Sequence, residues 1–296
     1  MTSLSRRGHN FWGWLFIAPT MFGLIILNII PGIQSIWQSF FKVGDFGRGN
    51  VFVGFQNYSL LISDNEIWQS LANTFAYTFI VVPFSIVFGI IFAIMLNREI
   101  KGRTVYRAIF FLPQVVAPAA IAMVWKWLYN ERFGLINHML GRFGISPVNW
   151  ISSSDGAIMS IAIIAIWSAL GYNLILFLAG LQEIPNDYYE AAEIDGASII
   201  RQQFIVTIPL LSPTIYFVAV TGLIGAMQIF DLIFMITGSG NPAAPKTQSL
   251  VYIFYRYSFV ESNRGYGSAI VVLLLLIIMV ITIVLQRTQK KLVHYG

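Results

Sequence analysis

The chain has 296 residues, of which 57% are apolar and only 10% charged, with a formal net charge of +5 and no cysteine. Soluble domains carry about 25% charged residues, so a fold surrounded by water is excluded, and without cysteine there is no disulfide framework, iron–sulfur cluster or thiolate zinc site. The basic residues are dispersed over loops and termini rather than gathered in a stripe with interleaved aromatics, which excludes a nucleic-acid partner.

The mean hydropathy of +0.72 is carried by long apolar runs. A helix needs about 20 such residues to cross a bilayer, and the short alternating segments of a membrane barrel are absent. The predicted fold class is therefore an all-α polytopic membrane protein with six transmembrane helices, at 12–32, 72–96, 108–128, 157–181, 210–236 and 268–285. The first run follows Arg6 and Arg7 like a secretory signal, but its apolar part exceeds the usual roughly 7–15 residues and lacks a small-residue cleavage site. It is predicted to be a retained span, with a cleaved signal as the alternative. Pro19, Pro31, Pro83, Pro113, Pro118 and Pro213 lie inside or at the ends of spans. Neighbouring helices can re-satisfy the carbonyls they free, so kinks are expected there. The predicted division is 1–65 (tail, first span, outer loop), 66–288 (five-span core) and 289–296 (tail).

Lys and Arg collect in cytoplasmic loops. The short loop 97–107 holds Arg98, Lys101, Arg103 and Arg107 against Glu99. Placing it inside makes both termini cytoplasmic, together with the segment 183–209. Trp125, Trp127 and Tyr129, and Tyr252, Tyr255 and Tyr257, then fit aromatic belts on the outer side. The outer loops 41–71, 129–156 and 237–267 are too polar to span and long enough for short surface helices. His9, His138 and His294 are scattered, so no metal site is expected.

The segment between spans four and five concentrates acids: Glu183, Asp187, Glu190, Glu193 and Asp195. Asn186 and Asp187 after Pro185 can open a helix by accepting from free amides. Gly196 permits a sharp bend, and a second helical piece runs to Pro209. Small residues at Ala191, Ala192 and Ala197 let a partner surface approach, and Glu190 and Asp195 can accept charge-assisted hydrogen bonds. The alternative is an ordinary solvated amphipathic helix.

The whole string matters here: Glu190-Ala191-Ala192, three residues, Gly196, nine residues, Val206, one residue, Ile208-Pro209. With it the chain resembles the permease subunits of binding-protein-dependent ABC importers, whose cytoplasmic signature has this spacing. Leu181 to Pro185, Phe133-Gly134-Leu135-Ile136-Asn137, Phe230-Asp231 and Thr237 to Pro242 resemble the carbohydrate-uptake branch, of the maltose, multiple-sugar or glycerol-phosphate type. Ser239 stands where that branch carries a second glycine. A span ahead of a five-span core is similar to the first of the two permeases such systems pair.

The resemblance implies a type I importer transmembrane fold with a coupling helix, within 185–209, between spans four and five. The residues it implies for ATPase coupling are Glu190, Ala191, Ala192, Asp195, Gly196, Ala197 and Pro209. The implied partners are a second permease, a separate ABC ATPase dimer carrying ATP and Mg, and an extracytoplasmic solute-binding protein. The chain would lie in a bacterial or archaeal plasma membrane. No phosphate loop occurs here, since Gly44 to Gly49 lacks the following Lys-Ser/Thr; no cofactor and no enzymatic reaction are expected of the chain itself. The implied solute is a sugar, an oligosaccharide first, with glycerol phosphate or a polyol as the alternative.

Sugars bind to aromatic faces and a few polar groups in an apolar cavity. Trp167, Tyr172 and Asn173 in span four and Gly222, Gln228 and Asp231 in span five are the candidates; Ser168, Thr221 and Gly225 lie nearby. Each has packing or interhelical hydrogen bonding as its alternative role. Tyr172 matches a sugar-contacting position of maltose permeases, whereas the matching polar positions of span five are Gly222, Ala226 and Ile229 here. Asp231 is the acid expected within a span, a candidate by default. An autonomous secondary transporter or channel would need repeated halves or buried coupling carboxylates, and a non-transporting docking protein would need only the 190–209 string.

Overall fold

The computed structural model describes residues 3–43, 49–98, 100–153, 156–238 and 240–293. Residues 44–48, Ser239 and His294 lie outside them, as do the side chains of residues 1–11 and 290–292, including Arg6, Arg7 and His9.

In chain order, α1 (Ser3–Leu24) passes through a π-turn (Ile25–Ile29) into α2 (Ile30–Gln38), and a short ribbon β1 (Phe41–Val43) and β2 (Asn50–Phe52) follows. Next come α3 (Gln56–Ser63), α4 (Asn65–Asn97), α5 (Arg103–Val115), α6 (Pro118–Leu128), α7 (Leu135–Arg142) and α8 (Ala157–Gln182). The insert comprises α9 (Asn186–Ile194), α10 (Ile199–Gln202), a π-turn (Gln203–Thr207) and α11 (Ile208–Leu210). The remainder is α12 (Ser212–Met227), α13 (Asp231–Thr237), α14 (Ala244–Thr247), α15 (Leu250–Tyr255), a third π-turn (Arg256–Val260) and α16 (Arg264–Leu292).

Four continuous stretches are long and apolar enough to cross a membrane: Trp12–Gln38, Asn65–Asn97, Ala157–Gln182 and Arg264–Gln289. Two further helix pairs are apolar enough together but bent, α5 with α6 at 101° and Ile199–Leu210 with α12 at 66°. Counting each pair as one crossing gives six among the described residues.

The bent pairs correct two expected spans. The run 108–128 is not one helix, because Val116 and Ala117 are extended and α6 restarts with Pro118 at its first position. A proline pushes the preceding residue out of the α region and is itself well suited to a helix start. The run 210–236 also breaks, at Leu211 and again at Gln228–Phe230 before α13. Two of the π-turns, Ile25–Ile29 and Gln203–Thr207, each end two residues before a proline, Pro31 and Pro209. Proline removes a donor and crowds the carbonyl four residues back, and a widened turn relieves that clash.

The chain divides into two compact units, Met1–Asp64 with Phe254–Leu274, and Asn65–Ile253 with Leu275–Gly296. In the first, β1 and β2 pair antiparallel with Phe41 opposite Phe52; this ribbon lies in a loop where only surface helices were expected. Asn57 Nδ2 donates to the carbonyls of Ser39 and Phe41 at 2.8 and 2.9 Å. The Tyr266 hydroxyl donates to Asp64 Oδ2 at 2.8 Å.

In the second unit, α4 and α8 pack along much of their length, with α5 and α12 against them. The core gathers around Phe177, Leu174 and Leu181 of α8, Ala93 and Leu96 of α4, and Leu211 and Val218. Gly171 of α8 touches the Phe110 carbonyl of α5, so closely that any Cβ there would overlap it.

Asn137 organises the loop after α6. Its Nδ2 donates to the carbonyls of Glu131 and Val148, and its Oδ1 accepts from Val148 N and Trp150 Nε1, so both ends of the amide are satisfied. The Tyr129 ring stacks on Trp150 at 5.4 Å and its hydroxyl donates to the Ser160 carbonyl at 3.2 Å. Burial pushes that phenol up to about 12, so it stays a neutral donor at physiological pH.

Candidate functional site: a hooked insert and a cavity between spans

The insert is built by a helix stop of defined geometry. Asp195 is the last half-helical residue of α9 and Gly196 follows with φ +77°. Gly196 N donates to Glu193 O and Ala197 N donates to Ala192 O, both at 2.9 Å. That pair of bonds is the Schellman motif, which satisfies orphan carbonyls only when the residue at Gly196 is left-handed. An added Cβ at Gly196 would meet nothing within 4 Å, so the demand for glycine is one of backbone conformation, not space.

Ser198 then caps α10, accepting from Arg201 N at 3.4 Å. The two arms are tied by Tyr189 hydroxyl to Thr207 Oγ1 at 3.0 Å, with Thr207 in turn donating to Gln203 at 3.0 Å. At the start of α9 the capping position is Pro185, with no side-chain bond. Asn186 and Asp187 are the first helical residues instead of caps, and Asp187 favours the positive end of the helix dipole.

Of the seven predicted insert residues, Glu190 to Ala197 come together in this one turn. Ala192 is buried beneath it, Ala197 half-buried, and Glu190, Ala191, Asp195 and Gly196 are exposed. Pro209 lies on the far arm, in α11 ahead of α12. Sequence reading missed the apolar part of this surface: Ile194, Ile199 and Ile200 are 87, 61 and 73% exposed around the turn. These three large aliphatics give the polar, acid-rich hook an exposed apolar face.

The second site is a cavity of about 260 Å³ between α4, α5, α8 and α12. Tyr172, Asn173 and Gly222 line it, as do Thr221, Gly225 and Ala226. Gly222 and Gly225 keep the α12 wall low, with only Thr221 and Ala226 adding side chains to it among the described residues. Tyr77, Ser85 and Gln114 complete the polar lining and were not singled out from sequence. Tyr77, Val81 and Ser85 recur every four residues and therefore share one face of α4. The polar groups of Tyr77, Gln114, Tyr172 and Asn173 have no hydrogen-bond partner among the described residues, while Ser85 and Thr221 donate to their own helices. Among the described residues no charged side chain lines the cavity.

The other three candidates lie elsewhere. Trp167 packs edge-to-face on Trp125 with centroids 5.6 Å apart. Gln228 ends α12 and Asp231 opens α13, both exposed and outside the cavity lining. Asp231 was expected inside a span, but the break at Gln228–Phe230 puts it in the first turn of a new short helix.

Residues 85–294 match the family model described as the binding-protein-dependent transport system inner membrane component. The trehalose/maltose transport system permease protein MalF of Thermococcus litoralis is 36% identical over 284 residues, covering 96% of this chain and 95% of that protein. The sn-glycerol-3-phosphate transport system permease protein UgpA of Agrobacterium fabrum is 34% identical, covering 96% of each. Among solved structures, a chain of the bacterial alginate ABC transporter in complex with its alginate pentasaccharide-bound periplasmic protein superposes with a TM-score of 0.86 at 19% identity, covering 99% of each chain, a likeness of fold. With six apolar crossings and the 190–209 string in place, the chain belongs to the family of binding-protein-dependent transport system inner membrane components, multi-pass membrane permeases of ABC importers.

Proposed function

We infer that the chain forms one half of the translocation pathway of an ATP-driven sugar importer, with a second permease forming the other half. The observation that carries the coupling role is the hooked insert with Ile194, Ile199 and Ile200 exposed around the Gly196 turn. A separate ATPase dimer docks there, Glu190 and Asp195 accept from its basic groups, and the insert carries ATPase closure to the spans. ATP binding then biases two states, open to one side or the other. An extracytoplasmic binding protein delivers the solute. The basic loop 97–107 supports a cytoplasmic placement of the insert and of both termini.

The solute reading rests on the cavity. Tyr172 offers an aromatic face, and Tyr77, Gln114 and Asn173 offer uncommitted donors and acceptors. Its volume of about 260 Å³ is below the roughly 300–1,000 Å³ of a complete small-molecule site, as expected of one wall that a second permease completes. The uncharged lining favours a neutral sugar over glycerol phosphate, because a phosphate would be met by Arg or Lys. The relatives named for trehalose/maltose and for sn-glycerol-3-phosphate lie at similar identity, and the uncharged lining supports the neutral sugar.

Uptake of labelled trehalose, maltose and glycerol 3-phosphate by cells carrying this chain as their sole copy tests the reading. Wild type is expected to import a neutral sugar, and Tyr172→Ala to lower that uptake by roughly tenfold or more, the loss of about 1.4 kcal/mol, with the assembled complex intact. Import of glycerol 3-phosphate alone would overturn the neutral-sugar reading. Unchanged uptake in Tyr172→Ala, or loss of the complex, would remove Tyr172 from the site.

A further inference from the structure

A second, larger cavity lies away from the solute cavity, where α4 ends and α5 begins. Its volume is about 670 Å³. Phe92 and Met95 of α4 and Phe110 of α5 give it an apolar wall, with the Phe92 and Phe110 rings 4.8 Å apart. Arg98 and Lys101, on the turn between the helices, stand at its rim with Tyr106. The lining combines apolar side chains, mostly from the two helices, with two cations from the turn between them.

Its position in the bilayer follows from helix length. The 33 residues of α4 extend about 50 Å at about 1.5 Å per residue, against a hydrocarbon core of about 30 Å. The apolar run 72–96 ends one residue before α4 does, which puts the last turn of α4 at headgroup depth. A cavity there meets acyl chains on one side and phosphodiesters on the other. Arg98 and Lys101 are exposed and make no ion pair among the described residues. Cationic side chains at this depth attract anionic lipid, and long basic side chains reach headgroups while their stems lie on apolar surface.

We propose that the cavity between the end of α4 and the start of α5 is a binding site for an anionic phospholipid, its phosphodiester held by Arg98 and Lys101 and an acyl chain laid against Phe92, Met95 and Phe110. The site is independent of which solute is carried, since it shares no residue with the solute cavity.

Native mass spectrometry of the full chain with its co-purifying partners, in detergent with equal dioleoyl phosphatidylglycerol and dioleoyl phosphatidylcholine, tests it. Wild type is expected to retain phosphatidylglycerol roughly tenfold over phosphatidylcholine, as two basic contacts allow. Arg98→Gln/Lys101→Gln should bring the two lipids to parity, whereas Arg132→Gln/Arg142→Gln, which removes the same charge at exposed positions elsewhere, should leave the preference intact. Met95→Trp should lower retention of phosphatidylglycerol by filling the apolar part. Equal retention in wild type overturns the proposal, as does an unchanged preference in Arg98→Gln/Lys101→Gln. Displacement of the lipid by glycerol 3-phosphate would assign the site to a free phosphate instead. A preference seen only after the partner subunits are stripped away would assign the cavity to a protein contact.

Discussion

Gly196 is the residue on which the insert turns. Its φ of +77° is closed by two backbone bonds and nothing crowds it, so substitutions there should rank by tolerance of the left-handed region. An ordinary L-residue pays about 1–2 kcal/mol for that conformation, and Asn pays less than most. Gly196→Asn is therefore expected to keep most of the uptake at matched expression, Gly196→Ala less, and Gly196→Val little. Wild-type uptake in Gly196→Val would remove the Schellman turn from the coupling account. This residue was legible in the sequence because a single glycine in a charged, helix-prone segment leaves few other purposes. Ile194, Ile199 and Ile200 were not: in a membrane chain rich in isoleucine, what sets them apart is their exposure around the Gly196 turn, which appears only once the hook is folded.

At the scale of elements, the contact between α5 and α8 and the wall of α12 make opposite demands on glycine. Gly171 lies against the Phe110 carbonyl, and a methyl there forces the helices apart. Overpacking costs about 1–3 kcal/mol, so Gly171→Ala should lower the melting temperature of the detergent-solubilised protein by several degrees. Gly225 lines the cavity with open space where its Cβ would be; Gly225→Ala should leave the melting temperature unchanged and reduce sugar uptake. The reverse pattern would mean that these two glycines have been assigned to the wrong contacts. The apolar runs that become α4, α8 and α16 were legible because a bilayer requires them. The breaks at Val116–Ala117 and at Leu211 were not, although Pro118 and Pro213 mark both places, because in a membrane helix a proline is as compatible with a mild kink as with a full bend.

At the scale of the whole molecule, the proposed coupling insert and the proposed solute cavity lie at different places in the chain, and the two were unequally legible. The insert is local: its spacing from Glu190 to Pro209 is written along one stretch of chain. The cavity is assembled from four helices, so Tyr77, Ser85 and Gln114 enter it only through the packing of α4 and α5 on α8. For the same reason the sequence could not show that Trp167, Gln228 and Asp231 stand outside this cavity's lining, the first in an aromatic pair and the others at a helix break. The central claim is that an ATPase docks on the exposed face of the insert, and the most direct measurement is affinity purification of this chain from its own cells in mild detergent, beside Ile194→Asp/Ile200→Asp. The account predicts that wild type brings a phosphate-loop ATPase and a second permease carrying its own Glu-Ala-Ala and glycine string, and that the variant keeps the permease and loses the ATPase. An ATPase retained by the variant, or a wild-type chain that purifies alone and moves solute across liposomes without ATP, would contradict it.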